Sequence, residues 1–402
     1  MRIALRLPRR TWIVLTLAVA ALVASLVLYM HLPNVHGDQS LYDRYAWAFW
    51  AGHPPLRSLP AEYPLLALVP VSLTILPPLP DFVSVFAVWM LALLVGVVLA
   101  VARRESPKVA EVLVVTVAVG AWGTVLGRYD LVPAAVTLAA LWAARDRRFG
   151  LAYALLAAGA LLKLYPALLV PVVAIEHCRG LGHHPLRGRP PRAVLAGVGL
   201  FCLLTAAGFA IAFLLDPAGW LGPFTYNARR PLQVESLPAT LLWLSGFVGF
   251  PVGPDKSFGS DNVVGQLAAP IGLVADATLV AGLAWVYVTQ ARGRMRVAAA
   301  FAACLLVVIC AGRVLSPQYL IWVLPFVAIV LRRHDPLWLA ICALTLIVFP
   351  FGYLQLHPGP PGHLANYPGF LLGLIALRNA ALVVATARFL AATSTMATAA
   401  AT

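Results

Sequence analysis

Residues 149–176 read FGLAYALLAAGALLKLYPALLVPVVAIE, with Arg147-Arg148 just before them and the arginine-rich segment Arg179 to Arg192 just after. Arginine-bearing loops between membrane spans stay on the cytoplasmic side, so a segment bracketed by two of them must enter and leave by one face. A single crossing would place one of the two loops outside. The interior Lys163-Leu164-Tyr165-Pro166 resolves the conflict. Proline lacks a donor and breaks the helix, so the chain turns at Tyr165-Pro166 and returns. Residues 149–176 are therefore expected to form a re-entrant hairpin in a polytopic membrane protein.

Composition agrees. Of 402 residues, 61% are hydrophobic and 11% are charged, and the mean hydropathy is +0.88. A soluble globular chain carries about a quarter charged residues, which excludes an ordinary cytosolic enzyme. The formal charge of +14 comes from Lys and Arg placed mostly in short loops. No basic stripe interleaves with aromatics, so the charge reads as membrane topology and no nucleic-acid partner is expected. Met1 to Arg10 is basic and Thr11 to Met30 apolar, but His31-Leu32-Pro33-Asn34 follows in place of a cleavage site. This reads as an uncleaved first span with a cytoplasmic N-terminus.

A crossing helix needs about 20 residues, fewer if its ends snorkel. Spans are expected at 11–30, 81–103, 109–126, 131–145, 193–215, 263–291, 297–312, 319–331, 336–353 and 368–388. These ten make an all-α bundle with both termini cytoplasmic and one transmembrane domain over 1–390. A disordered tail is expected over 391–402. Residues 63–79 and 237–253 are expected to dip into the outer face without crossing. The external segments are then 31–62, 127–130, 216–236 with 254–262, and 313–318 with 354–367. Most carboxylates lie in or beside them: Asp38, Asp43, Glu62, Asp81, Asp130, Asp216, Glu235, Asp255 and Asp261. Acidic, aromatic and arginine side chains gathered on one face suit chemistry at the outer surface.

Asp38 sits just beyond the first span, where it reads either as a helix cap or as a base for an incoming hydroxyl. Lys163 lies fifteen residues after Arg148, roughly 22 Å along a helix from the cytoplasmic edge. A cation there either snorkels to the outer headgroups or meets a partner such as a bound phosphate. Arg313, in Gly312-Arg313-Val314-Leu315-Ser316-Pro317-Gln318-Tyr319, stands against the positive-inside bias and calls for a carboxylate or phosphate. Arg229/Arg230 with Gln233 and Glu235 form a further polar cluster. Gly127-Arg128-Tyr129-Asp130 reads as an Arg–Asp pair stapling two helices or as a substrate contact. Arg378-Asn379, about ten residues into the last span, reads as an internal ion pair.

The five cysteines show no disulfide pattern, and His177, Cys178, His183 and His184 lack zinc-type spacing. There is no phosphate-binding glycine loop, no nucleophile elbow, no H-E-x-x-H and no dinucleotide fingerprint. Neither a metal nor a cofactor is expected.

Taken in order, these residues resemble glycosyltransferase family 87, a mannosyltransferase-like group common in actinobacteria, within the C superfamily that uses polyprenyl-phosphate sugars. The resemblance rests on Asp38 with Tyr42, Gly52 with Pro55 and Arg57, and Glu62-Tyr63-Pro64. It continues through Gly127-Arg128-Tyr129-Asp130-Leu131, Lys163-Leu164-Tyr165-Pro166 and Arg230-Pro231-Leu232-Gln233-Val234-Glu235-Ser236. Ser316-Pro317-Gln318-Tyr319 with Trp322 and Pro325, then Arg378-Asn379, complete it. Two departures, Tyr63-Pro64-Leu65 for the family's Tyr-Pro-Pro and Pro55-Leu56-Arg57-Ser58 for its Pro-Tyr-Arg-Asp, bear on which sugar is carried. The resemblance implies transfer of a hexose, mannose first, from a polyprenyl-phosphate donor to a glycan or glycolipid of the cell envelope. It also implies inversion, an active site on the outer face of the plasma membrane, and Asp38 as base. Lys163, Arg313 and Arg230 would hold the donor phosphate. Tyr42, Arg57, Glu62, Tyr63, Arg128, Asp130, Gln233, Glu235, Gln318 and Tyr319 would line the substrate site. From the residues alone, a multi-pass transporter or flippase of envelope precursors, or a silent scaffold, is the alternative.

Overall fold

The computed structural model describes residues 9–32, 36–50, 59–77, 81–355 and 369–396. Its helices are α1 (Arg9–His31), α2 (Gly37–Trp50), α3 (Leu68–Val71), α4 (Phe82–Arg104), α5 (Pro107–Gly120), α6 (Trp122–Gly127), α7 (Leu131–Arg145), α8 (Phe149–Leu162) and α9 (Val170–Gly180). The chain continues through α10 (Arg192–Leu215), α11 (Gly222–Arg229), α12 (Leu237–Ser245), α13 (Ala268–Ala291), α14 (Val297–Ala311), α15 (Leu320–Leu331), α16 (Pro336–Leu346) and α17 (Gly369–Met396). Six helical segments are long and apolar enough to cross a membrane: 12–31, 82–104, 192–215, 268–291, 336–354 and 369–393. The other expected spans are shorter helices. α5 and α6 are separated at Ala121, while α7, α14 and α15 have 15, 15 and 12 residues.

The short helices lie inside. α14 and α15 are apolar all round and buried along nearly their whole length, as a helix wrapped by others must be. α10 and α13 lie at the rim, exposing Leu203, Leu214, Leu273 and Val280. Small residues let backbones approach: a Cβ on Gly120 of α5 would fall 2.1 Å from the backbone of Cys342 in α16.

The bundle is helical, as expected, and two details differ from the expectation. Outside the bundle helices, β1 (Leu232–Gln233), β2 (Val252–Ser257) and β3 (Ser260–Gly265) form a small antiparallel sheet in the order β1-β3-β2. The span expected from 263 therefore starts at Ala268, because Val263 and Val264, apolar enough to read as helix, pair across the sheet instead. At the other end, α17 runs to Met396, into the stretch expected as a tail, since its alanines favour helix.

The break in 149–176 is present. α8 ends at Leu162, a 3₁₀ turn covers Tyr165–Leu169, and α9 follows. The two arms meet again at their base, where Arg147 donates to the Gly180 carbonyl at 3.3 Å and Phe149 stacks on His177 with centroids 4.1 Å apart. The chain thus leaves and returns at one end of the bundle and carries Lys163 towards the other. At the base, Arg104 pairs with Asp146 at 2.6 Å, Arg145 and Arg332 share Glu105, and Lys108 pairs with Glu111. That end is the basic pole.

Candidate active site

At the opposite pole lies a cavity of about 510 Å³. Each of the four expected external segments contributes to its wall: Asp38 and Glu62, then Arg128, then Tyr226, Arg230 and the β2–β3 tip, then Arg313 to Tyr319. Lys163 and Tyr165 enter from the broken hairpin. Among the described residues no group of three or more His, Cys, Asp or Glu is arranged to hold a metal ion, and all five cysteines are free.

Asp38 lies in the first turn of α2, where the helix dipole favours a carboxylate. Its Oδ2 lies 2.6 Å from Arg128 Nε, and its side chain is 35% exposed against 10% for the arginine. The carboxylate is thus steered by a buried cation while still open to the cavity. Arg128 is fixed in turn: its guanidinium stacks 5.0 Å from the Phe349 ring. Beside it, Gly127 leaves room for Tyr29, whose hydroxyl would lie 2.1 Å from any Cβ there. Tyr29 donates to Gln39 at 2.8 Å and so anchors α2 to α1. Tyr42, fully buried, does not reach the wall; its ring packs edge-on against Tyr63 and Tyr129.

The Arg–Asp staple within Gly127-Arg128-Tyr129-Asp130 does not form. Arg128 faces α2, and Asp130 accepts from Lys163 Nζ at 2.6 Å and from Trp322 Nε1 at 2.7 Å. Lys163 therefore has an internal carboxylate, which neither snorkelling nor an external phosphate required. It also sits among four rings, 5.1 Å from Trp322, 5.4 Å from Tyr129 and Tyr319, and 5.8 Å from Tyr63. Each ring face attracts the ammonium. Trp322 is held between Tyr165 and Tyr319 at 4.2 and 3.9 Å, so the cage is stiff.

Arg313 makes a two-pronged pair with Asp276 of α13. Gln233 holds that turn from behind, accepting from the Leu315 N–H at 3.0 Å and donating its own N–H to the Arg313 carbonyl. Arg230 differs. Its Nη2 donates to Ser260 at 3.1 Å and its guanidinium lies 5.6 Å from the Tyr226 ring. It takes part in no ion pair among the described residues, and its buried Nε has no hydrogen-bond partner. The β2–β3 tip covers it, turning through Phe258 and Gly259, both in the left-handed region that a tight hairpin of this hand requires. Burial pushes the Tyr226 phenol up to about 12 and the Tyr63 phenol up as well, so both stay neutral, and Tyr226 donates its proton to the Phe258 carbonyl.

Glu62 lines the wall and accepts from Tyr45 at 2.8 Å. Gln318 and Tyr319 line it too. Glu235 does not: it is fully buried, paired with Arg378 at 3.4 Å, as the internal pairing of Arg378 anticipated. Burial pushes its carboxyl up, against the pull of Arg378. Arg57 lies outside the described residues, as do Gly52 and Pro55. Sequence reading passed over Asp276, Tyr226 and Phe258. A carboxylate inside the apolar run of α13 was the available signal for Asp276; the tip residues gave none, because the sheet itself was not foreseen. Among the described residues, the assembled wall offers a carboxylate able to take a proton, a cation outside any ion pair in Arg230, and flat aromatic faces for a ring.

A family model described as glycosyltransferase family 87 matches residues 63–317, more than half of the chain. No curated protein matches it.

Proposed function

The chain belongs to glycosyltransferase family 87, and from that premise we propose that it transfers a hexose, mannose in the first instance, from a polyprenyl-phosphate donor to a cell-envelope glycolipid or polysaccharide. In this reading the bundle crosses the plasma membrane ten times with both termini and the basic pole inside, and the cavity opens outside. The observation that carries the reading is the Asp38–Arg128 pair, with Asp38 partly open to a cavity that also holds Arg230, which has no ion-pair partner among the described residues.

Asp38 takes the proton of the acceptor hydroxyl as its oxygen attacks the anomeric carbon from the face opposite the phosphate, which inverts the centre. Arg128 keeps the carboxylate aimed. The bond to the lipid phosphate breaks, and the phosphate leaves as an anion that needs no carboxylic acid to protonate it, unlike the leaving group in a glycosidase. Arg230 receives the growing charge; Lys163 and Arg313, each already facing a carboxylate, add field strength to that wall. The phenol of Tyr63 and the amide of Gln318 supply donors and acceptors for the sugar, and the Tyr226 hydroxyl, which donates to the Phe258 carbonyl, offers its oxygen as an acceptor. Asp130, Gln233 and Glu235 act through their neighbours as positioning groups.

The test is transfer from radiolabelled polyprenyl-phosphate mannose to membrane acceptors. Asp38→Asn is expected to lower the rate by at least about a hundredfold with the protein still folded. Persisting transfer would move the base to Glu62 or Asp43. Transfer from a different lipid-linked sugar alone would overturn mannose and keep the chemistry.

A further inference from the structure

The basic pole holds a second cavity, of about 460 Å³, lined by Arg145, Arg147, Arg179 and Arg296 with Glu176 as the one carboxylate. It lies at the far ends of helices that reach the active site: α7 runs from Leu131, next to Asp130, to Arg145, and α14 from Val297, next to Arg296, to Ala311, two residues before Arg313. Arg145 already pairs with Glu105. Arg147, Arg179 and Arg296 take part in no ion pair among the described residues. Arg147 is held at the pocket by its bond to the Gly180 carbonyl and adopts a left-handed backbone, φ 60°, that a non-glycine residue takes only under constraint. α14 begins here without a side-chain cap, and Val297 and Ala298 line the wall beside the arginines. Next to this pocket is a groove of about 430 Å³ lined by Trp285, Val288, Arg292 and Arg294 along the outer face of α13. The two adjoin, because the Arg179 guanidinium lies 3.5 Å from where a Cβ on Gly293 would stand.

We propose that this pocket binds the phosphodiester headgroup of an anionic membrane lipid. Guanidinium groups pair with phosphate oxygens through two parallel bonds, and three of them in one cavity, none in an ion pair among the described residues, suit a phosphate. The adjoining groove favours a lipid over a soluble phosphate: Trp285 and Val288 are exposed on the rim helix, where an acyl chain would run. The site is separate from the transfer reaction and does not rest on it.

The experiment is thermal unfolding of the purified full chain in neutral detergent, with phosphatidylglycerol, phosphatidylcholine or inorganic phosphate added. Phosphatidylglycerol is expected to raise Tm by at least about 3 °C over phosphatidylcholine. The R179Q/R296Q variant loses that difference. R104Q, at the same pole but paired with Asp146 outside the pocket, keeps it. Should the double variant fail to fold, R179Q and R296Q separately are each expected to lose about half the difference. An equal shift in wild type and R179Q/R296Q, or no preference for the anionic lipid, overturns the proposal. A shift from inorganic phosphate as large as that from the lipid, lost in the variant, overturns the lipid assignment and leaves a soluble phosphate as the ligand.

Discussion

Lys163–Asp130 and Arg378–Glu235 are both ion pairs set among apolar helices, and they serve different ends. Arg378 and Glu235 are entirely sealed. Arg378 Nη2 donates to the Glu235 carbonyl at 2.8 Å, Asn379 donates to the same carbonyl and to Thr240, and Tyr353 donates to the Glu235 carboxylate. The network ties α17 to the turn between β1 and α12. Lys163 keeps 14% of its side chain exposed at the cavity wall, and its counter-ion Asp130 is buried at 1% with Oδ2 unpartnered. A sealed pair fixes structure. A pair open on one side also presents a charge to whatever enters.

The comparison breaks most visibly at the sealed pair. Glu235→Ala strands Arg378 in an apolar interior, and a loss of about 3–5 kcal/mol is expected, read as a fall in Tm or in folded yield from detergent. Glu235→Leu combined with Arg378→Met is expected to recover much of that loss, because both charges go together. If the double variant is as damaged as the single, the pair itself is not what the fold requires. Lys163→Met comes next. Asp130 keeps the Trp322 bond, so the stability loss is expected to stay nearer about 1–3 kcal/mol, while transfer falls through KM more than kcat. A larger fall in Tm than for Glu235→Ala would reverse the contrast. The smallest effect is expected from Arg104→Gln at the basic pole, where both partners are over 40% exposed: under about 0.5 kcal/mol by the same melt, shrinking further in salt.

The broken hairpin was legible because a proline and a lysine interrupt an apolar run between two arginine-rich loops. The basic loops likewise assigned the four segments that build the cavity wall, since charge placement along a span survives folding. Pairing was less legible. Arg128 and Asp130 are neighbours in sequence, yet the turn points them to α2 and to Lys163, and nothing in the local spacing says so. The β-sheet was missed because Val263 and Val264 continue an apolar run, and a short strand and a helix end look alike by hydropathy. Asp276 was missed for a related reason: its partner Arg313 is 37 residues away, across a helix turn that only packing brings together.

The placement of Asp130 and Lys163 also constrains how the protein is made. Asp130 stands at the start of α7 and Lys163 at the end of α8, 33 residues apart, so the two charges meet at the open end of one helical hairpin. Neither helix enters hydrocarbon cheaply by itself, because each would carry a lone charge to its leading end. Paired, they enter as a neutral unit. The expected consequence for assembly is that α7 and α8 insert as one hairpin, which carries Lys163 to the cavity wall in the same step.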